Sequence, residues 1–126
     1  MGLTQPCSGI LIVEDDLAIR EALTEILEDE GYQVQGAANG QEAIQLLRER
    51  TPPCLILLDL MMPVMNGWQF RAEQKQDPVL APVPVVVISA DSDLKTKAAA
   101  IEAVDYLPKP VQLTRLLDTI EQYCGS

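Results

Sequence analysis

Five side chains with chemistry to offer are spread along this sequence, each close behind a short apolar run. Glu14 and Asp15 follow Ile10-Leu11-Ile12-Val13, and Asp59 follows Leu55-Ile56-Leu57-Leu58. Ser89 closes Val85-Val86-Val87-Ile88, and Lys109 stands just beyond Val104-Asp105-Tyr106-Leu107. Short apolar runs bounded by turn residues read as strands buried on both faces of a parallel sheet. Open α/β sheets place their ligands outside the carboxyl ends of the strands. Residues distant in sequence therefore converge on one edge, where Asp59 is presented to a ligand.

The chemistry of this set is complementary. Carboxylates about 4 Å apart repel by roughly 4 kcal/mol per pair at an effective dielectric near 20. Lys109 supplies one compensating charge. A hard divalent cation supplies the rest, and oxygen-only ligands with room for water suit Mg²⁺. A carboxylate neutralised in this way can attack a phosphoryl group, while Lys109 and the Ser89 hydroxyl stabilise the phosphoryl oxygens. Asp59 is accordingly the expected aspartyl-phosphate acceptor.

Taken singly, these residues have plainer explanations. Glu14-Asp15-Asp16 is also what a helix N-terminus favours, because acidic groups complement the dipole there. Asp59 alone could be a cap, Ser89 alone says nothing, and Lys109 between two prolines could be an ordinary loop lysine. Separate strand ends each supplying a fitting group are what carry the functional reading.

The elements that must position them alternate regularly. Ile19, Leu23, Ile26 and Leu27 have the spacing of an amphipathic helix, with Asp16 as its N-cap and Gly31 at its end. A weak edge strand is expected over 34–37. Asn39-Gly40-Gln41-Glu42 resembles a capping box before a second helix, which Thr51-Pro52-Pro53 stops. Asn66-Gly67 turns into a third helix over about 68–76, polar enough to lie on the surface with only its first turn anchored. A proline-rich connection leads to a strand over 84–88, and an alanine-rich helix follows over about 94–103. The last helix opens at Val111 and points Leu113, Leu116, Leu117 and Ile120 inward. The pattern is (βα)5, an α/β fold with a parallel sheet and right-handed crossovers.

Composition narrows the function classes. The chain has 126 residues, 48% of them hydrophobic, which suits one domain with a real core. A net charge of −10 opposes direct nucleic-acid binding and suits metal ions or basic partner surfaces. With no histidine, the chain cannot itself carry a phosphohistidine. Cys7, Cys54 and Cys124 show no metal-binding spacing and are expected as reduced thiols. No apolar run reaches the roughly 20 residues of a membrane helix; the longest candidate is interrupted by Pro82 and Pro84. The N-terminus lacks the pattern of a signal peptide, and Pro6 spoils the myristoylation pattern begun by Met1-Gly2. A cytoplasmic protein with no membrane partner is expected.

Four stretches together resemble the response regulator receiver domain of two-component signalling, over essentially the whole chain. They are Ile10-Leu11-Ile12-Val13-Glu14-Asp15-Asp16, Leu57-Leu58-Asp59-Leu60-Met61-Met62-Pro63-Val64-Met65-Asn66-Gly67, Val87-Ile88-Ser89-Ala90 and Asp105-Tyr106-Leu107-Pro108-Lys109-Pro110. The resemblance implies a doubly wound, flavodoxin-like, CheY-like five-stranded sheet in the order 2-1-3-4-5. It implies a lead over 1–9, a receiver domain over 10–124 and no output domain, as in a single-domain regulator or a fragment of a larger regulator or hybrid kinase. Asp59 would take a phosphoryl group from a phosphohistidine on a histidine kinase or histidine phosphotransfer protein. Asp15, Asp59 and the Met61 backbone carbonyl would hold Mg²⁺, with Glu14 acting largely through water. Ser89 and Lys109 would hold the phosphoryl group. Tyr106 would be a rotameric switch moving with Ser89, so that the face of the fourth helix, fifth strand and fifth helix meets a downstream effector. The Lys109–Pro110 bond would be cis. No enzymatic turnover is implied beyond self-phosphorylation and slow self-dephosphorylation.

The sequence departs from the family at Ala103-Val104, where Gly-Ala is usual, so an irregular or mobile end to the fourth helix is expected. Two other chemistries use related groups. A haloacid-dehalogenase-like phosphatase needs a second Asp two residues after the first, and Met61 stands there. A flavodoxin-like flavin carrier needs small or hydroxyl residues in its first loop to cradle phosphate, where Glu14-Asp15-Asp16 would repel it.

Overall fold

The structure is a computed structural model that describes residues 9–124. The lead over 1–8, with Cys7 and the Met1-Gly2 pattern, lies outside the described residues. Among them, strands and helices alternate: β1 (Gly9–Val13), α1 (Leu17–Asp29), β2 (Gln33–Ala37), α2 (Gly40–Glu49), β3 (Leu55–Asp59), α3 (Gly67–Gln76), β4 (Val85–Ser89), α4 (Leu94–Ala100), β5 (Asp105–Pro108) and α5 (Leu113–Cys124). All strand pairs are parallel, in the order β2-β1-β3-β4-β5. This is the expected doubly wound α/β fold.

The period of two along each strand divides the core. Leu11, Val13, Ile56, Leu58, Val85 and Val87 face α2, α3 and α4. Ile10, Ile12, Leu55, Leu57, Val86 and Ile88 face α1 and α5. Every residue of β3 and β4 is buried, and each Leu, Ile or Val so buried contributes about 1.5–3 kcal/mol. β2, at the edge, is only partly covered.

Helix ends show where local chemistry is obeyed and where it is overridden. Asp16 caps α1 through Ile19 N at 3.1 Å, and Asn39 caps α2 through Glu42 N at 2.9 Å. The Glu42 carboxylate, however, accepts from Ala38 N and leaves that box half made. The complete capping box is on α3, between Asn66 and Gln69.

α1 ends with Gly31 at φ 97°, Gly31 N donating to Glu28 O and Tyr32 N to Leu27 O. α4 ends in the same bond pattern, Glu102 N to Ala99 O and Ala103 N to Ala98 O, with Glu102 at φ 60°. The expected irregular end of α4 is therefore corrected. It is a Schellman cap with a glutamate in the left-handed position, one residue earlier than the sequence comparison placed the missing glycine. Arg71 holds it from outside, donating to Ile101 O at 2.7 Å and Glu102 O at 3.1 Å, while Lys75 pairs with the Glu102 carboxylate.

Three further expectations are revised. α3 is anchored along its length, because Phe70 and Gln74 are fully buried. The Gln74 amide donates to Leu80 O and Val83 O, both at 2.9 Å, and so satisfies the proline-rich connection to β4. Leu113 is 53% exposed, and the inner face of α5 is Leu116, Thr119, Ile120 and Cys124. Cys54 is disulfide-bonded, contrary to the expected thiol, whereas Cys124 is a buried thiol whose pKa burial pushes up to about 11.

Candidate functional site: an acidic cleft at the carboxyl edge

The carboxyl ends of β1, β3 and β4 and the turn after β5 surround a cleft of about 340 Å³ lined by Glu14, Asp15, Asp59, Met61, Ser89 and Lys109, among others. The register explains the convergence. Val13 pairs with Leu58, Asp59 with Ile88 and Ser89 with Pro108, so the strands end almost level. Backbone close behind the site keeps it there. A Cβ on Gly67 would lie 2.7 Å from Leu60 Cα and 3.0 Å from Asp59 O, so only glycine lets α3 start directly against the end of β3.

Glu14, Asp59 and Ser89 are buried, and Asp15 is exposed at the rim. One carboxylate oxygen from each of Glu14, Asp15 and Asp59 falls within a group spanning 4.8 Å. Lys109 Nζ lies 2.7 Å from Glu14 Oε1 and 3.5 Å from Asp59 Oδ2. Met61 N donates to Asp59 Oδ1 at 3.2 Å. Ser89 Oγ accepts from Asp91 N at 3.1 Å. The Lys109–Pro110 peptide is cis, as the resemblance implies.

Electrostatics follow from this crowding. Burial, then the charge of Glu14 and a hydrogen bond with it, push the Asp59 carboxyl up to about 7, against the Met61 N–H and Lys109. Burial acts to lower the pKa of Lys109, but Glu14 and Asp59 together outweigh it and hold the ammonium above its ordinary value. Glu14 Oε1 is buried and makes no directed hydrogen bond, only the ion-pair contact with Lys109. Three clustered carboxylates and one excess proton-binding site are what a hard cation would satisfy. The donor set fits Mg²⁺.

Tyr106 is brought elsewhere. It pairs with Val87 in the sheet and packs half-buried against the core beneath α2, α3 and α4, outside the cleft lining. The Arg115 guanidinium lies 5.8 Å from its ring centroid and donates to its carbonyl at 3.2 Å. Sequence reasoning missed Arg20, whose Nη1 donates to Glu14 O at 2.6 Å, and Lys97, which pairs with Asp91 at the cleft mouth. No local pattern marks either residue, because each acts across a turn or loop.

The fold and site define a doubly wound α/β module with an acidic, cation-fitting cleft at its carboxyl edge. The chain belongs to the response regulator receiver domain family, which matches residues 10–121. It is 31% identical over 121 residues to the polar-differentiation response regulator DivK of Brucella anthropi, covering 93% of this chain and 96% of DivK. It is 36% identical to the alkaline phosphatase synthesis transcriptional regulatory protein SphR of Synechococcus elongatus, covering 83% of this chain but only 44% of SphR. Among solved structures, the receiver domain of sensor histidine kinase PA1611 from Pseudomonas aeruginosa superposes with a TM-score of 0.85 at 26% identity. The match covers 95% of this chain and 99% of that one, and the PA1611 domain has a magnesium ion coordinated in its active-site cleft. The chain is thus a receiver domain of two-component systems, and receiver domains are signalling domains.

Proposed function

We propose that Asp59 is the phospho-acceptor and that it takes its phosphoryl group from a phosphohistidine of a histidine kinase or histidine phosphotransfer protein. The supporting observation is the gathering of Glu14, Asp15 and Asp59 oxygens within 4.8 Å beside the Lys109 ammonium. An Asp59 carboxylate oxygen attacks phosphorus, the P–N bond breaks, and its electron pair leaves with the imidazole. Lys109 lies close enough to swing onto the phosphoryl oxygens. The Ser89 hydroxyl, held only by Asp91 N, can turn to donate to one of them.

Glu14, Asp15, Asp59 and the Met61 carbonyl would hold Mg²⁺, which when bound supplies positive charge against the developing phosphoryl charge. Movement of Ser89 toward the phosphoryl group would free space for Tyr106 and alter the face formed by α4, β5 and α5, where a downstream effector docks. Slow self-dephosphorylation resets the signal. This role belongs to the cytoplasm, where such kinases act.

Incubation with Mg²⁺ and a small phosphodonor such as acetyl phosphate is expected to add one phosphoryl group, detected as a mass increase that alkali or hydroxylamine removes, as for any acyl phosphate. Asp59→Asn should abolish it. Labelling that survives this substitution would overturn the assignment.

A further inference from the structure

Glu14 is held at almost every polar atom. Its N–H donates to Ala37 O at 3.0 Å, its Oε2 accepts from Asp16 N at 3.1 Å, and its carbonyl accepts from Arg20 Nη1 at 2.6 Å. Only Oε1, facing Lys109 and the cleft, makes no directed hydrogen bond. The Arg20 contact differs in kind from the others. It is charge-assisted, therefore short and strong. It also grips the peptide plane joining Glu14 to Asp15, which is rigid. Fixing that carbonyl fixes the direction in which the exposed Asp15 leaves the chain.

Arg20 reaches this carbonyl from the first turns of α1 by passing over the edge strand. A Cβ on Gly36 of β2 would come within 3.0 Å of Arg20 Cδ, 3.3 Å of Cγ and 3.5 Å of Nε, and these are its three nearest neighbours. Gly36 pairs in register with Ile12, and its φ lies outside the left-handed region, so nothing in the backbone calls for glycine. In a strand, glycine costs about 0.5–1 kcal/mol relative to alanine. Its use here is the bare surface that seats the Arg20 stem.

We propose that Arg20, seated on Gly36, is a positioning residue for the Glu14–Asp15 acid pair and sets the cation affinity of the cleft. The inference rests on the metal-site reading given above. Its sign is diagnostic. A merely neighbouring guanidinium repels a divalent cation, so its removal would tighten Mg²⁺ binding. A guanidinium that orients the ligands does the opposite.

The test is calorimetric titration of Mg²⁺ into the unphosphorylated protein and its variants, each first shown by circular dichroism to be folded. Arg20→Met is expected to weaken binding roughly tenfold, the low end of what loss of an outer support costs a metal site. Gly36→Val keeps the charge but unseats the side chain, and is expected to weaken binding in the same direction. The double variant should bind no more weakly than Arg20→Met alone. Unchanged or tighter binding in Arg20→Met, or wild-type affinity in Gly36→Val, would overturn the proposal. Asp15→Asn and Glu14→Gln separate the two readings: if they too bind Mg²⁺ normally, the metal site itself is misassigned, whereas loss in these two alone refutes only the role of Arg20.

Discussion

The Lys109 ammonium lies nearer to Glu14 than to Asp59, at 2.7 Å against 3.5 Å. In the unphosphorylated protein the lysine thus serves first as counter-ion to a fully buried glutamate. On the proposed phosphorylation of Asp59, a move of Lys109 toward the phosphoryl group would require Glu14 to find another cation. Lys109→Met should therefore leave both carboxylates uncompensated and raise the Asp59 pKa further above about 7. Carbon-13 NMR of the aspartate carboxyls in metal-free protein reads this directly, and a downward shift would contradict it.

Stability should depend on pH through Asp59 in an unusual sense. Its folded pKa is raised from 3.8 to about 7, so between these values the folded state keeps a proton that the unfolded chain has lost. Stability from this group is present below about pH 4, falls as pH rises, and is fully lost above about pH 7. Asp59→Asn removes the effect. Without Mg²⁺, the variant should match wild type near pH 4 and exceed it at pH 8 by on the order of 2–4 kcal/mol. Urea denaturation at the two pH values measures the difference. A gap that stays constant with pH would show that Asp59 does not titrate in this range.

Glu102 occupies a left-handed position at φ 60° that glycine would fill without strain. An L-residue there costs roughly 1–2 kcal/mol, while the exposed pair with Lys75 returns little. Glu102→Gly is expected to stabilise the protein by about 1 kcal/mol after the larger entropy of the unfolded glycine chain is counted. A lower denaturation midpoint would show that the contacts of Glu102 with α3 outweigh the strain.

Much of the site was legible in the sequence because its residues sit at strand ends, and strand ends are marked by the change from apolar runs to turn residues. Glu14, Asp15, Asp59, Ser89 and Lys109 all come to the cleft for that reason. The residues that were not legible act by reaching. Arg20 crosses a strand to a carbonyl, and Gln74 caps two carbonyls of a loop that follows its own helix. Apolar periodicity has no term for a buried amide, so α3 looked like a surface helix. The end of α4 was misjudged because glycine was taken as the condition for a left-handed cap, whereas Arg71 helps hold Glu102 in that conformation.

By itself, then, the sequence determined the alternation of strands and helices, the two-faced core and the residue types gathered at the carboxyl edge, since these follow from hydrophobic period and chain punctuation. Only the tertiary structure decided the charge arrangement within the cleft. Which carboxylate Lys109 prefers, which oxygen of Glu14 it takes and how far Asp59 is pushed from its ordinary pKa depend on burial and on distances of a few ångströms. Those quantities are set by how strands far apart in sequence come into register.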